Sequence, residues 1–302
     1  MITIPNGVNI NNLIDDLKIF SWQSADILLN YSKKIKDFDS RNQIIKSIDE
    51  NDPVTEADLK VNEYIIKNIE EKYFNVDWKI LSEENVKKDA NIEAIDSDWL
   101  WVLDPLDGTK DFIQGTGNYA MHLALNYKNK PVLGVVLIPV RDELWISDGS
   151  KVWCENRDGL KKKFNQRKKK NLSEMKLVTS KNHSNEILKD LINKVDFKDS
   201  IIMGSIGCKI ASIIRGDSDI YISLSLQGKS SPKDWDFAAP EAILKAAGGV
   251  ITNLDNKELE YNNRNYEQQG FIVASNSKEN HKDICSELKN LVNVSDLRNL
   301  DI

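Results

Sequence analysis

Apolar residues recur at helical spacing between about Asn11 and Lys36, at Leu13, Leu17, Phe20, Ala25, Leu28 and Leu29. That stripe predicts an amphipathic helix packed on a sheet. Gln43 to Ile48 has the length of a short strand. A second helix is predicted from Thr55 to Tyr73, with Val61, Ile65, Ile66 and Ile69 on its apolar face. Trp78 to Leu81 reads as a strand leading straight into Ser82-Glu83-Glu84. Trp99 to Leu103 is an apolar run suited to a covered sheet, and pairing is expected to stop at Pro105, which has no N–H to donate. Tyr119–Tyr127, Val132–Val140, Glu143–Ser147 and Lys151–Cys154 follow, separated by short polar or glycine-containing turns. That rhythm predicts an antiparallel meander.

Beyond residue 170 the pattern alternates. Strands are predicted at Lys176–Thr179, Ile201–Met203, Asp219–Leu224, Val250–Asn253 and Phe271–Ser275. Helices are predicted at Ser184–Lys194, Lys209–Ile214, Asp236–Ala247 and Lys278–Leu291. The fold class is therefore α/β, with an α+β N-terminal half over residues 1–165 and an α/β C-terminal half over residues 166–302. Between them, Lys161 to Lys170 carries seven basic residues in ten. Such a run is either an anion-binding patch or, more commonly, a solvated loop between domains.

With 302 residues, 40% hydrophobic and 29% charged, the chain is long enough for a large core and ordinary for a globular protein. The net charge of −6 argues against a general nucleic-acid binder, though not against a small anionic substrate, since bound cations reverse a local field. Cys154, Cys208 and Cys285 have neither zinc spacing nor the look of a disulfide framework. No apolar run reaches membrane-spanning length and no leader pattern opens the chain, so a cytoplasmic protein is expected.

The chemistry concentrates in Asp104-Pro105-Leu106-Asp107-Gly108-Thr109, where the buried strand ends in two carboxylates. Gly108 permits a tight turn and a close approach of backbone to ligand. The turn can aim Asp104, Asp107 and the carbonyl of Leu106 at one point, an oxygen set suited to Mg²⁺. A bare Asp-x-x-Asp is more often an ordinary turn; the longer string is far more specific. Thr55 to Asp58 has the spacing of a capping box, with Asp in the Glu position. Asp236 opens an Ala-rich helix, where an N-cap is the plain alternative to a ligand. His122 sits in an apolar strand and reads as structural, and His281 as a solvent-facing residue of the last helix.

Asp104-Pro105-Leu106-Asp107-Gly108-Thr109 resembles the signature of the inositol monophosphatase superfamily, a group of Mg²⁺-dependent, lithium-sensitive phosphatases. Asp52-Pro53-Val54-Thr55-Glu56-Ala57-Asp58, Ser82-Glu83-Glu84 and Asp234-Trp235-Asp236-Phe237-Ala238-Ala239-Pro240-Glu241 agree with it in order. Ser82-Glu83-Glu84, Thr109-Lys110 and the Trp235-Asp236 stretch look most like its 3′(2′),5′-bisphosphate nucleotidases. The resemblance implies a layered α/β/α/β/α sandwich, with a metal-binding first half and a substrate-binding second half. It makes Glu83, Asp104, Leu106, Asp107 and Asp236 ligands for two or three Mg²⁺ ions. Glu84 becomes a supporting group, and Thr109 with Asp58 or Asp52 handles the attacking water. Gly108 and Thr109 would offer backbone N–H groups to the phosphate. Four carboxylates in one cleft repel one another unless cations are present, the physical case for a metal.

His183 and Ser205 to Lys209 lie on loops at strand ends, where α/β domains bind ligands. Nucleotidases look similar there, so His183, Ser205 and Lys209, beside Asp236, are candidate substrate contacts. The reaction expected is hydrolysis of a phosphomonoester by metal-activated water. The favoured substrate is 3′-phosphoadenosine 5′-phosphate, with its sulfated form also in view, which would serve sulfur assimilation. Inositol 1-phosphate or another sugar phosphate is the enzymatic alternative; a non-catalytic nucleotide-binding regulator is the other. Cys208 and Arg215 have six residues between them, one too many for a cysteine-phosphatase loop. Many relatives are dimers, which leaves room for a homodimer.

Overall fold

The computed structural model describes residues 3–36, 44–47, 54–88, 93–164, 169–180, 185–226 and 228–292. Helix α1 (Ile10–Lys34) starts at Asn9, whose side chain accepts the N–H groups of Asn11 and Asn12. A small pair, β1 (Ile45–Ser47) with β2 (Val54–Thr55), leads into α2 (Glu56–Lys72). Asp16 of α1 takes the ammonium of Lys72 and the hydroxyl of Tyr73, so the two helices are tied where their apolar stripes meet.

The first large sheet runs β3 (Lys79–Ser82), β4 (Trp99–Asp107), β5 (Ala120–Tyr127), β6 (Lys130–Ile138), β7 (Glu143–Ser147), β8 (Val152–Glu155) and β9 (Lys161–Lys162), each strand beside the next. The meander from β4 onward is antiparallel, while β3 pairs parallel to β4. Two short helices interrupt it: α3 (Glu83–Val86) after β3 and α4 (Thr109–Gln114) after β4. Pairing does not stop at Pro105 as the sequence suggests. The ladder skips two residues after Asp104↔His122 and resumes at Asp107↔Ala120, so the proline produces an irregularity rather than an end.

The C-terminal half is a five-stranded sheet in the order β11 (Asp199–Ile202), β10 (Lys176–Thr179), β12 (Ile220–Ser225), β14 (Gly270–Ser275), β13 (Val250–Asn253). β10 is parallel to both neighbours, whereas β14 is antiparallel to β12 and β13, so the sheet is mixed. Its helices are α5 (Glu186–Val195), α6 (Ile206–Arg215), α7 (Asp234–Ala246) and α8 (Lys278–Leu291). The division expected near residue 165 falls beside residues outside the description.

Side-chain alternation separates the layers. On β4, Trp101 and Leu103 pack toward α1 and α2, while Leu100 and Val102 pack toward α6 and α7. On β12, Tyr221 joins that inner cluster, and Ile220, Ile222 and Leu224 join the outer one with residues of α5 and α8. The order is thus helices, sheet, helices, sheet, helices. The inner layer is thin where it matters: a Cβ on Gly134 of β6 would lie 2.6 Å from Ala242 Cβ and 2.8 Å from Ala239 O. Helix α7 therefore seats directly on the first sheet through alanines. Among the described residues no helix is long and apolar enough to cross a membrane. Lys162, Lys169 and Lys170 of the basic run are engaged by Glu143, Asp283 and Asp219.

His281 corrects the sequence reading. It is buried rather than solvent-facing: Nε2 lies 2.7 Å from Thr252 Oγ1 and Nδ1 2.7 Å from Ser275 Oγ, which pins α8 to β13 and β14. The helix's apolar face brings it inside, and the two hydroxyls satisfy both ring nitrogens. Burial lowers its pKa from 6.5 to about 4. The unfolded chain then binds a proton that the folded chain refuses, so stability falls as pH drops from 6.5 toward 4. A shift of that size corresponds to about 3 kcal/mol. Urea titrations from pH 7 to pH 4 should show this loss, and His281→Gln should flatten it. Equal pH dependence in both proteins would assign the loss elsewhere.

Candidate metal centre

Asp104, Asp107 and Asp236 each present a carboxylate oxygen within 4.8 Å of the others. Two come from the irregular end of β4 and one from the first turn of α7, so both halves of the molecule build the cluster. Asp236 is not the N-cap that the sequence left open. Helix α7 starts two residues earlier, and Asp236 at its third position accepts the N–H of Lys233 at 2.6 Å. Burial, then the charges of Glu83, Asp107 and Asp236, hold the Asp104 carboxyl well above the ordinary range. Burial, then Asp107 and Glu83, do the same to Asp236. Crowded anionic oxygens with few compensating cations suit a hard, oxygen-seeking cation such as Mg²⁺, which removes the repulsion. The donor set therefore fits the metal that the sequence implies.

Glu83 opens α3 beside the cluster, close enough to Asp104 to share a hydrogen bond with it. Its Oε1 also lies 2.9 Å from Lys87 Nζ, a contact that the sequence reading missed. Glu84 is buried next to it, 3.5 Å from the same ammonium. The Leu106 carbonyl accepts Thr109 Oγ1 at 3.0 Å, and the Leu106 N–H donates to Asp104 Oδ1 at 3.0 Å. Gly108 has φ +87°, and a Cβ there would meet Asn118 O at 2.9 Å and Ser205 N at 3.2 Å. Glycine is required both by the left-handed turn and by the C-terminal half pressing on it.

Asp58 carries two tasks. Its Oδ2 accepts the Thr55 N–H at 2.9 Å and completes the cap of α2, while Oδ1 lies 3.4 Å from Thr109 Oγ1. Burial raises its pKa to about 8, with the Glu84 and Glu83 charges adding to this and the Thr55 hydrogen bonds opposing it. Asp52 and His183 lie outside the described residues.

The loop between β11 and α6 meets the cluster from the other half. Ser205, expected at a nucleotide, caps α6 and donates to Asp107 Oδ2 at 2.7 Å; the Gly207 N–H reaches the same oxygen at 3.2 Å. Lys209, also expected there, is fully buried. Its Nζ donates to Gly204 O at 2.6 Å and lies over the Tyr221 ring, 5.5 Å from the centroid. Burial lowers its pKa to about 8, opposed by Asp107 and other nearby anions. Helix α6 begins at Ile206, earlier than predicted, which turns Lys209 inward. His122, read as structural, lies with Nε2 3.2 Å from Asp107 Oδ2 and Nδ1 3.3 Å from Trp235 O. His122 shares its strand face with Ala120, Ala124 and the buried Asn126, so a polar residue there was a weak signal.

Comparison with known proteins bears on this geometry. A 3′(2′),5′-bisphosphate nucleotidase CysQ of Aggregatibacter actinomycetemcomitans is 29% identical over 255 residues, covering 82% of this chain and 90% of that protein. Another, from Buchnera aphidicola, is 32% identical over 214 residues, or 70% and 75% of the two chains. Among solved structures, CysQ from Bacteroides thetaiotaomicron superposes with a TM-score of 0.67 at 24% identity, covering 89% of this chain and all of that one. A Thermotoga maritima IMPase gives 0.71 at 22%, covering 93% and 98%. The model of the inositol monophosphatase family matches residues 20–293, which takes in every carboxylate of the cluster, and the chain belongs to that family.

Proposed function

We propose that this phosphatase is Mg²⁺-dependent and removes the 3′-phosphate of 3′-phosphoadenosine 5′-phosphate, acting also on the sulfated analogue. The observation that carries the metal-dependent reading is the meeting of Asp104, Asp107 and Asp236 from two halves of the fold. The choice of nucleotide rests on the names of the curated relatives. The same reading places the protein in the cytoplasm, with a small phosphomonoester as its partner.

Asp104, Asp107, Asp236, Glu83 and the Leu106 carbonyl would hold two or three ions. When bound, they supply the positive charge that receives the phosphate, acidifies a water and steadies the leaving oxygen. Thr109 has one hydroxyl proton and two acceptors in reach, Leu106 O and Asp58 Oδ1. With that proton given to an ionised Asp58, the lone pairs of Thr109 are free to take a proton from water. A carboxyl raised by burial is the stronger base for this relay. Glu84, buried 3.5 Å from Lys87 Nζ, adds its negative charge to the burial that raises Asp58. Lys209 enters as a buried positive charge behind the carboxylates, and Ser205 as the donor that orients Asp107.

Three measurements test the reading. Dialysis against EDTA should abolish phosphate release and Mg²⁺ restore it, with Ca²⁺ a poor substitute and Li⁺ an inhibitor. Full turnover after exhaustive chelation would end the metal-dependent reading. Asp107→Asn should reduce turnover at least ~100-fold, comparable with loss of a major electrostatic stabiliser; near-normal turnover would leave Asp107 a turn residue. In a substrate panel, kcat/KM for 3′-phosphoadenosine 5′-phosphate should exceed that for inositol 1-phosphate by ~10-fold or more. That is the least that one charge-assisted contact to a second phosphate provides. The reverse order would reassign the substrate and keep the family.

A further inference from the structure

We propose that Lys110 is a specificity-determining residue whose ammonium meets the second phosphate of a bisphosphate substrate, the one that is not cleaved. The inference rests on the nucleotidase reading above.

Helix α4 (Thr109–Gln114) places the side chain. Successive residues of a helix are turned by about 100°. Thr109 points to the side of α2, with Oγ1 3.4 Å from Asp58 Oδ1. Asp111, two residues on, points to the C-terminal half: a Cβ on Gly204 would fall 2.0 Å from its Oδ2. Phe112 points inward, fully buried, with its ring centroid 5.0 Å from that of Tyr119. In this rotation Lys110 falls midway between Thr109 and Asp111 and opposite Phe112. It therefore faces away from the core, on the arc between α2 and the loop joining β11 to α6. The backbone beneath it is held. Gly108 O accepts the Phe112 N–H at 2.9 Å, and the Thr116 hydroxyl donates to Asp111 Oδ1.

Other lysines around the cluster are engaged. Lys209 is buried, with Nζ on Gly204 O at 2.6 Å. Lys87 is held by Glu83 at 2.9 Å, and Lys233 by Glu267 at 2.9 Å. Lys110 is half-buried, and it forms no hydrogen bond or ion pair with any described residue. An ammonium turned inward would find Asp104 or Asp107; Lys110 pairs with neither, so its charge lies outward of the cluster. The phosphate that is cleaved belongs at the carboxylates. One ribose separates it from the other phosphate, which must lie outside them, where an unpaired cation is free to receive it.

The second phosphate takes no part in bond breaking. Its contact is equally strong before and during reaction, so losing it raises KM and leaves kcat. The test compares the native full chain with Lys110→Ala at saturating Mg²⁺. The substrates are 3′-phosphoadenosine 5′-phosphate and adenosine 3′-monophosphate, which lacks the second phosphate. On the bisphosphate, kcat/KM should fall about 10- to 150-fold, nearly all of it in KM, as expected for one charge-assisted contact. On the monophosphate the change should stay below ~3-fold, because the contact is never made. Lys110→Arg should retain the preference. Adenosine 5′-monophosphate, the product, keeps the second phosphate, so its calorimetric affinity should weaken in Lys110→Ala by a similar factor. Equal losses on both substrates, a loss confined to kcat, or no loss on either would overturn the proposal. A native chain that hydrolyses inositol 1-phosphate and neither nucleotide would instead remove the nucleotidase reading, and this inference with it.

Discussion

Mutual repulsion among buried carboxylates is the constraint on which the site depends. Asp104, Asp107 and Asp236 lie together where water is scarce, with Glu83 against Asp104. In that setting each ionised group disfavours the ionisation of the next. The chain offsets part of this with its own cations, Lys209 behind Asp107 and Lys87 beside Glu83. What remains is a concentrated negative field opening where the two halves meet. A fold that keeps such a field has a use for positive charge from outside.

The constraint reaches into the packing. Carboxylates at the end of β4 and the start of α7 can meet only if the helix lies close on the sheet. Gly134 against Ala239 and Ala242 provides that approach, and Gly108 against Ser205 provides it on the other side of the turn. Small residues here act as spacers of zero thickness. The inner helices are shared by both sheets, so the halves join through a common core rather than through a hinged surface.

Much of this was legible in the chain itself. Periodicity located the helices and the meander, because one-sided burial imposes a period that the residues must obey. The acidic strings were legible because few turns need Asp-Pro-Leu-Asp-Gly-Thr in that order. Other features were not. Pro105 was expected to end β4, yet the ladder resumes beyond it, since a neighbouring strand can bridge a local irregularity. His281 and Lys209 looked available to solvent or ligand, and both are inside, because tertiary partners such as Thr252, Ser275 and Gly204 cannot be seen from local spacing. Ser205 was noticed for the right loop; its partner, Asp107, is 98 residues away.

The double engagement of Asp58 has an evolutionary consequence. One oxygen closes the cap of a long helix and the other faces Thr109, so a single side chain serves two selective pressures. Replacing a capping carboxylate typically costs about 1 kcal/mol in its own right. A descendant that had lost all turnover would still be under pressure to keep it. Persistence of this aspartate in a lineage is therefore poor testimony to a working catalyst. An oxygen with no structural duty, free to drift once catalysis lapses, would be the better witness.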